Sequence, residues 1–326
     1  MKSRRKRLSA RYLFYFCGAM EKKLSIVIPV YNRAGIVGRT LRSVEAQTYR
    51  PLKVILVDNG STDGTYGVLQ SWRRAVSAPD FEVVILTEPT PGAAAARNTG
   101  LRQVDTPWVM FFDSDDTMRP GHCLRAMTAA TGDVDVVGWD VELFLPAGRR
   151  TGSFLHGHYH FDNVFHGGMA TQRWCARADT VRKAGGWNPS ALIWDDIELG
   201  SRMIESGARI KRLEGERTVD VEFSDVSISN EPWISRMDRM ASVLELIKRT
   251  LPVEKKKYAL FKLVLGAGEA NRLSPDPQVR AKADDMYRRA MSEADTMKDR
   301  LLMRLVHNYI CHFSHGAVAF LSLFLR

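Results

Sequence analysis

The stretch WVMFFDSDD, residues 108–116, joins an apolar run of strand length to three aspartates. Such a strand is typical of a buried sheet, and carboxylates cannot remain unpaired inside a core. We therefore expect these acids to emerge at the edge of the sheet, where open α/β proteins bind their ligands. Three aspartates in four residues repel one another, and a divalent cation would relieve that repulsion.

A second stretch has the same design. VILVDNGSTDGT, residues 54–65, is an apolar strand that ends at Asp58 and continues into turn residues. Two acidic patches at strand ends indicate a ligand site at the C-terminal edge of a sheet. The chemistry they favour is a metal-bound ligand that carries phosphate.

Strands and helices alternate through the first 116 residues. Strands are predicted over 24–31, 53–58, 82–87 and 108–112, and helices over 36–44, 65–76 and 93–104. This rhythm predicts an α/β fold with a mostly parallel, twisted sheet and helices on both faces. Residues 132–190 break the rhythm and are rich in Gly, His and aromatics, so we expect them to shape a second pocket.

The last hundred residues are different in character. From about residue 231 the sequence favours helices, and apolar residues recur every three or four positions over 278–306. The apolar tail, residues 317–325, is too short to span a bilayer. It could lie in the membrane interface, or equally pack on the core or on a partner subunit.

Charge is concentrated at the two ends of the chain. The net charge is +10, residues 1–20 hold six Lys or Arg and no acid, and residues 231–326 add a further excess of six. Basic ends suggest an anionic membrane surface or nucleic acid, and a solvated basic surface is an equal alternative. Four scattered cysteines without a C-x-x-C pair fit a reducing cytosol rather than a zinc site or a disulfide framework.

Four motifs in order resemble those of family 2 glycosyltransferases, which have the GT-A fold. They are SIVIPVYN at 25–32, VDNGSTDGT at 57–65, ARNTG at 96–100 and FFDSDD at 111–116. The likeness continues more loosely through GGWN at 185–188 and WDDIEL at 194–199, and it stops near residue 230. A lone D-x-D would be a weak signal, whereas four motifs at family spacing are a strong one.

The resemblance implies a role for particular residues. It places a nucleotide base near Tyr31 and Asp58, and the other residues it assigns to the donor are Pro29, Asn32, Arg97, Asp113 and Ser114. It implies that Asp115, together with Asp113, binds Mg²⁺ or Mn²⁺ that bridges the two phosphates. It also implies catalysis by the pair Asp195 and Asp196, with Asp196 as the base that deprotonates an acceptor hydroxyl. The family often has an acid where this chain has Asn59.

The resemblance also implies an organisation and a function. We expect a disordered basic tail or a later start in residues 1–20, and a GT-A catalytic domain over 21–230. That domain would divide into a nucleotide-sugar half (21–117) and an acceptor half (118–230), followed by a helical region over 231–326. The expected function is inverting transfer from a nucleotide sugar, UDP-linked in the first instance, to a glycan or lipid-linked acceptor in surface polysaccharide synthesis. The expected location is cytoplasmic, with peripheral contact to the anionic inner face of the cytoplasmic membrane as a further option; an oligomer is left open.

Other classes of protein fit the sequence less well. A sugar-1-phosphate nucleotidyltransferase should carry a Gly-rich, basic loop after its first strand, where this chain has YNRAG at 31–35. A non-catalytic nucleotide-sugar-binding protein would not need the acids at 195–196. Nucleic-acid binding is not expected, because no aromatic-basic platform supports it. The histidines at 156, 158, 160 and 166 lie in a Gly-rich region without a helix frame, which favours loop or acceptor-pocket roles over zinc.

Overall fold

The computed structural model describes residues 24–146, 148–222, 232–313 and 316–325. The expectation for residues 1–20 lies outside these ranges, and so does residue 231, where the helical region was expected to begin. The strands are β1 (Leu24–Val30), β2 (Leu52–Asp58), β3 (Phe81–Thr87), β4 (Trp108–Phe111), β5 (Thr117–Met118), β6 (Val136–Trp139), β7 (Val141–Leu145), β8 (Gly148–Gly152), β9 (Trp174–Arg177), β10 (Ile210–Leu213) and β11 (Val219–Glu222).

Helices follow or separate these strands and then fill the C-terminal region. They are α1 (Val37–Glu45), α2 (Thr65–Val76), α3 (Ala93–Arg102), α4 (His122–Ala129), α5 (Tyr159–His166), α6 (Ala178–Lys183), α7 (Asp195–Glu205), α8 (Trp233–Thr250), α9 (Lys257–Leu273), α10 (Pro277–Glu293), α11 (Met297–His312) and α12 (Ala317–Leu325). The elements predicted before residue 117 lie within two residues of their observed bounds.

The main sheet confirms the predicted α/β class. Among the described residues it has the order β10-β6-β9-β4-β1-β2-β3. β1 lies at its centre and pairs in parallel with both β2 and β4, and β2 pairs in parallel with β3. The one exception within this sheet is β9, which runs antiparallel to β4 and to β6.

The two faces of the sheet are covered by different helices. On one face, side chains such as Ile26 and Ile28 of β1 pack in a cluster that includes α1, α2 and α4. On the other face, Val27 packs in a cluster that includes α3, α6 and α7. The alternation of side chains along a strand produces this division, since successive residues point to opposite faces.

Residues 132–190, where the rhythm breaks, contribute to two sheets. β6 and β9 extend the main sheet, while β7 and β8 form a hairpin in a second sheet of order β5-β11-β7-β8. The antiparallel β9 explains the broken rhythm, because it joins the sheet without the helical crossover that a parallel strand requires.

The C-terminal helices pack around a separate apolar cluster that also includes Phe161 and Phe165 of α5. The expectation of one apolar face over 278–306 is wrong in its second half, where Met297 and Leu301 are exposed. The reason is that Thr296 caps a new helix, and the break before it changes which residues face the core. No helix in the described ranges combines the length and hydropathy needed to cross a membrane.

Candidate active site

Three neighbouring strands of the main sheet deliver polar residues to one edge. Val30 at the end of β1 lies opposite Asp58 at the end of β2, and Phe111 at the end of β4 lies opposite Val27. The chain leaves these strands toward Asn32, Asn59 and Asp113 respectively. The acidic patches of the sequence therefore share the C-terminal edge of the sheet, as predicted.

Arg97 on α3 joins this edge to the acidic pair at residues 195–196. Its guanidinium donates a hydrogen bond of 2.8 Å to Asp113 and one of 2.7 Å to Asp195, although the two acids are far apart in sequence. The same group lies 4.3 Å from the centroid of the Trp187 ring. Burial alone would lower the pKa of Arg97, but Asp113 and Asp195 outweigh it and raise that pKa. Arg97 is thus a buried, permanent cation between two sets of carboxylates.

The three acids of the DSDD patch have different surroundings. Both carboxylate oxygens of Asp113 accept hydrogen bonds, one from Arg97 and the other from Gln172. Asp115 has a weaker contact of 3.4 Å with Arg33. Burial, and then repulsion by Asp113, raises the pKa of Asp115.

Asp116 is the most buried acid of the patch, and its carboxylate contacts the second sheet. Its carboxylate accepts a 2.9 Å hydrogen bond from the backbone N–H of Glu222 at the end of β11. Burial and repulsion by Asp113 and Asp115 raise the pKa of Asp116 well above its usual value. This contact joins the end of β4 to the second sheet.

At the other side of the edge, Tyr31 is exposed and Asp58 is buried. Asp58 Oδ2 accepts from the Ser61 N–H at 3.4 Å, while Oδ1 is buried and has no hydrogen-bond partner among the described residues. A buried carboxylate oxygen without a partner is unusual and points to a donor that the protein itself does not supply.

Asn32 adopts a left-handed backbone conformation with φ of 49°. Its side chain accepts a 2.8 Å hydrogen bond from the Thr62 N–H, and its own N–H donates to Ser61 Oγ at 3.0 Å. It therefore fixes the loop after β2 against the loop after β1. Pro29 lies within β1 opposite Val57, and Ser114 is buried beside the acids.

The acidic pair begins helix α7. Trp194, just before it, has φ of 51°, a left-handed conformation that is costly for a large residue. The Asp195 carboxylate accepts from the Asp196 N–H at 3.1 Å, and the Asp196 carboxylate accepts from the Ile197 N–H at 2.7 Å. These bonds place both acids at the positive end of the helix dipole.

Both acids have elevated proton affinity. Burial raises the pKa of Asp195 to about 6; Arg97 opposes this rise, while Asp196 adds to it. Burial also raises the pKa of Asp196, against the hydrogen bond from Ile197 and the charges of Arg97 and Arg173. Of the two acids, Asp195 accepts the hydrogen bond from the Arg97 guanidinium, whereas the hydrogen bond that the Asp196 carboxylate accepts comes from the Ile197 N–H.

Three residues at this site were not foreseen from the sequence. Gln172 lies in a short 3₁₀ turn, and Trp187 is the tryptophan of the GGWN motif, to which the family likeness gave no role in the site. Neither residue has a charge or a periodicity that marks it. Lys262 comes from α9, beyond the end of the family likeness. Its ammonium lies 4.9 Å from the centroid of the Trp194 ring, and burial lowers its pKa to about 8.

The acids at this edge differ from an all-protein metal site. Within the described ranges, no three His, Cys, Asp or Glu side chains are grouped so that they could hold an ion by themselves. Mg²⁺ is nevertheless commonly held by one or two carboxylates together with substrate phosphates, rather than by an all-protein cage. Asp115, whose contact with Arg33 is long at 3.4 Å and which lies close to Asp113, fits that mode of binding.

The arrangement of this sheet, with its single antiparallel strand and helices on both faces, is the GT-A fold. One solved structure with this fold is S. aureus TarS in complex with UDP-GlcNAc, with 17% identity, coverage of 89% of this chain and 88% of that one, and a TM-score of 0.65. Another is a mannosyltransferase from Pyrobaculum calidifontis in complex with GDP-Man and Mn²⁺, with 16% identity, coverage of 93% and 87%, and a TM-score of 0.53.

Sequence comparison identifies the family. Residues 25–153 match the family model described as glycosyl transferase family 2, so the chain carries a domain of that family. Glycosyltransferase AglE of Haloferax volcanii is 30% identical over 191 residues, which are 56% of this chain and 62% of that protein. The succinoglycan biosynthesis protein ExoW of Rhizobium meliloti is 37% identical over 116 residues, 33% of this chain and 34% of that one. The chain thus spans less than two thirds of either relative.

Proposed function

We propose that this protein is an inverting glycosyltransferase that moves a sugar from a nucleotide-sugar donor, UDP-linked in the first instance, to a hydroxyl of an acceptor. The observation that carries the proposal is the bridge made by Arg97 between Asp113 and Asp195. This bridge brings two sets of acids into one site. The strand-end acids suit a metal-bound diphosphate, and the acids at 195–196 suit proton transfer. The family of the domain and the UDP-GlcNAc complex of TarS support the same reading.

The donor would lie along the C-terminal edge of the sheet. Tyr31 is exposed and can form a wall for a flat base, while the unpartnered Oδ1 of Asp58 can accept a base N–H. Asn32 would act by holding the loop in place, because its side chain is already bonded to Thr62. Pro29 and Ser114 would shape the floor of this groove.

Asp115, with Asp113 beside it, would hold Mg²⁺ or Mn²⁺ against the two phosphates. A divalent cation, when bound, neutralises charge on the departing nucleoside diphosphate. Arg97 can supply further positive charge to the same leaving group, since its pKa keeps it protonated at any working pH. The neighbour with Mn²⁺ supports a metal of this kind.

Asp196 would accept the proton of the attacking hydroxyl. The hydroxyl oxygen forms a bond to the anomeric carbon while the bond from that carbon to the diphosphate oxygen breaks on the opposite face. The electron pair leaves with the diphosphate, the proton goes to the Asp196 carboxylate, and the anomeric configuration inverts. A transition state with oxocarbenium character is expected, as in glycoside hydrolysis.

The acceptor half, residues 118–230, would hold a glycan or a lipid-linked glycan of a growing surface polysaccharide. The name of the succinoglycan relative supports a surface polysaccharide. The protein would work in the cytoplasm, in peripheral contact with the inner face of the cytoplasmic membrane. The helical region 231–326 would then be a third unit, in addition to the nucleotide-sugar half at 21–117 and the acceptor half, and its helices pack on helices of the acceptor half.

The first experiment is a screen of UDP-, GDP- and dTDP-sugars for thermal shift and for hydrolysis, with and without Mn²⁺. We expect a UDP-sugar to raise the melting temperature and to be hydrolysed slowly, more so with Mn²⁺. NMR of a transfer product should show an inverted anomeric configuration. Release of UTP from a UDP-sugar and pyrophosphate would instead identify a nucleotidyltransferase, and donor binding without any turnover would identify a binding protein.

The metal is tested by Asp115→Ala. An edge carboxylate is not part of the core, so the variant should fold, and Mn²⁺-dependent UDP binding measured by calorimetry should be lost. Asp133→Ala, which removes a highly exposed acid elsewhere, is the matched control and should bind UDP normally. Undiminished Mn²⁺-dependent affinity in folded Asp115→Ala would remove Asp115 from the metal site.

A further inference from the structure

Helix α11 exposes a row of large apolar side chains. Met297, Leu301, Leu305, Tyr309 and Phe313 at its end recur at every fourth position, and Met297, Leu301 and Leu305 are 77%, 59% and 52% exposed. The opposite side of the same helix is buried against the C-terminal cluster through Leu302, Met303, Val306 and Ile310. The helix therefore buries one apolar side and leaves Met297, Leu301 and Leu305 largely exposed on another.

Helix α12 continues this surface. Ala317, Leu321 and Leu325 are buried, whereas Phe320, Leu323 and Phe324 are exposed, with Leu323 at 78%. α12 packs on α11, and Tyr258 of α9 donates a hydrogen bond to the Leu325 carbonyl, so the tail is held to the body. We call the exposed apolar residues of α11 and α12 together the C-terminal apolar face.

The charges around this face are mostly positive. Lys298, Arg300 and Arg304 are exposed on α11. The single acid of that helix, Asp299, is buried, where it accepts a hydrogen bond from Thr296 Oγ1 and lies 3.7 Å from Lys257. Asp295, just before the helix, is exposed, and residues 317–325 contain no charged side chain. A surface of large apolar residues with an excess of cations is the composition that suits an anionic interface.

We infer that the C-terminal apolar face docks on an anionic lipid bilayer, with α11 and α12 lying in the plane of its surface. Apolar side chains would enter the boundary between headgroups and acyl chains, to a depth of about 5–10 Å. The cations at its border would then contact lipid phosphates. A second copy of the chain is a poorer occupant, because two copies of the same face would bring like charges together.

Packed helices connect the C-terminal apolar face to the candidate active site, and this position supports docking on a bilayer. α12 contacts α5, and α5 contacts α7, the helix that begins with Asp195 and Asp196. Two helices, α12 itself and α5, each about 10 Å in diameter, thus lie between the exposed side of α12 and the helix of the acidic pair. An acceptor held in the bilayer by a lipid could reach the site over that distance. The docking inference itself does not depend on the proposed reaction.

The test replaces exposed residues rather than removing the tail, because truncation would also remove the buried Leu321 and Leu325. In the full chain, Leu301→Ser, Leu305→Ser, Leu323→Ser and Phe324→Ser are combined. Binding is measured by co-sedimentation with vesicles of phosphatidylglycerol and phosphatidylcholine. Loss of four partly exposed apolar side chains should weaken binding about tenfold or more. The matched control is Leu273→Ser, an exposed leucine outside the face, which should bind like the parent protein.

A second arm tests the charge. Lys298→Gln with Arg304→Gln should weaken binding to anionic vesicles about tenfold or more, at roughly 1 kcal/mol for each cation near such a surface. Binding of the parent protein should fall with added salt and should be weak on pure phosphatidylcholine. Equal binding to both lipids at all salt concentrations would contradict the role of the cations.

Two outcomes would overturn the inference. The first is that the fourfold variant, shown by thermal unfolding to be folded, binds vesicles as well as the parent does. The second is that light scattering finds a parent dimer that the fourfold variant dissociates, with no vesicle binding by either. In that case the face is an interface between two copies of the chain.

Discussion

At the scale of single residues, the two acids at the start of α7 can be separated by substitution. Asp196→Asn keeps the shape of the side chain and removes its capacity to accept a proton. We expect transfer to fall by roughly a hundredfold or more, the scale of general base catalysis, with UDP binding nearly unchanged. Initial rates and UDP calorimetry on the same preparation measure both quantities.

Asp195→Asn is the companion variant. Since Asp195 holds Arg97 at 2.7 Å, its loss should disturb the diphosphate contact and therefore weaken donor binding as well as transfer. If Asp195→Asn stops turnover with normal donor affinity, while Asp196→Asn remains active, the assignment of the base within the pair is wrong.

The pH dependence follows from the same pair. Burial raises the pKa of both acids, to about 6 for Asp195, so each stays protonated to a higher pH than a free aspartate. A protonated base cannot accept a proton, and because the pKa of Asp196 is raised by burial, transfer should decline as the pH falls at a higher pH than an ordinary aspartate would give. Transfer rates between pH 4.5 and 8 at saturating donor measure this decline, which is the acid limb of the rate profile. An acid limb centred near pH 4 would mean that the base has an ordinary pKa.

The sequence predicted the acids at 58, 113 and 115 as candidates because carboxylates at the ends of buried strands have a physical reason to be there. It gave Asp195 and Asp196 only through the family resemblance. It could not give their contacts. Asn32 was expected at the donor, and the structure shows it bonded to the next loop. Gln172, which bonds Asp113, comes from a 3₁₀ turn whose position depends on the whole sheet. Contacts between residues far apart in sequence are fixed by packing, which local patterns do not encode.

At the scale of elements, α9 reaches the acidic pair through Lys262. The ammonium lies over the Trp194 ring and 3.5 Å from the Phe165 carbonyl oxygen, and its charged neighbours are Glu269, Asp196 and Arg236. Lys262→Met should release Trp194 from its left-handed conformation and lower kcat about tenfold, in line with a buried cation–π contact. The KM for the donor should change little.

The pH profile distinguishes positioning from simple support of the fold. Loss of a cation near Asp196 should move the acid limb of the rate profile to higher pH. Lys282→Met, which removes a lysine of α10 that is paired with Asp238 of α8, is the control and should leave the limb in place. A lower melting temperature in Lys262→Met with unchanged kcat and limb would show a purely structural residue.

Elements near the N-terminal half were predictable because each has its own local signal. β2 ends at the turn residues after Asp58, and α2 begins and ends where its sequence pattern does. The apolar repeat across residues 278–306 misled because periodicity alone does not show a helix break. The cap at Thr296 was the signal that could have corrected it.

At the scale of the whole molecule, the tail helix contributes to the folded core as well as to the surface. Leu321 is fully buried, so Leu321→Ala should lower the free energy of unfolding by about 2–5 kcal/mol, the range for a core leucine. Urea unfolding measures it. Leu323→Ala, two residues away and largely exposed, should change that free energy little; equal effects would mean that α12 is not packed as described.

The overall architecture was predictable to the level of class. Alternating strands and helices require a parallel sheet, but the insertion of β9 antiparallel between β4 and β6 has no local signature. The same holds for the second sheet, in which β11 pairs with β5 and β7 from much earlier in the chain. Such pairings depend on how the whole chain packs, and no local stretch of sequence specifies them.

Because Arg97 stacks on Trp187, the fluorescence of Trp187 should report whether a nucleotide occupies the candidate active site. Indole emission responds to a charge beside the ring, and here the charge is 4.3 Å from the ring centroid. A diphosphate that draws the guanidinium away should shift that emission, so UDP can be titrated without a label. Trp187→Phe should lose the signal, while Trp72→Phe, which alters an indole packed on Phe81 of β3, should keep it. A signal that survives Trp187→Phe would show that the emission change comes from another tryptophan and not from the contact between Arg97 and Trp187.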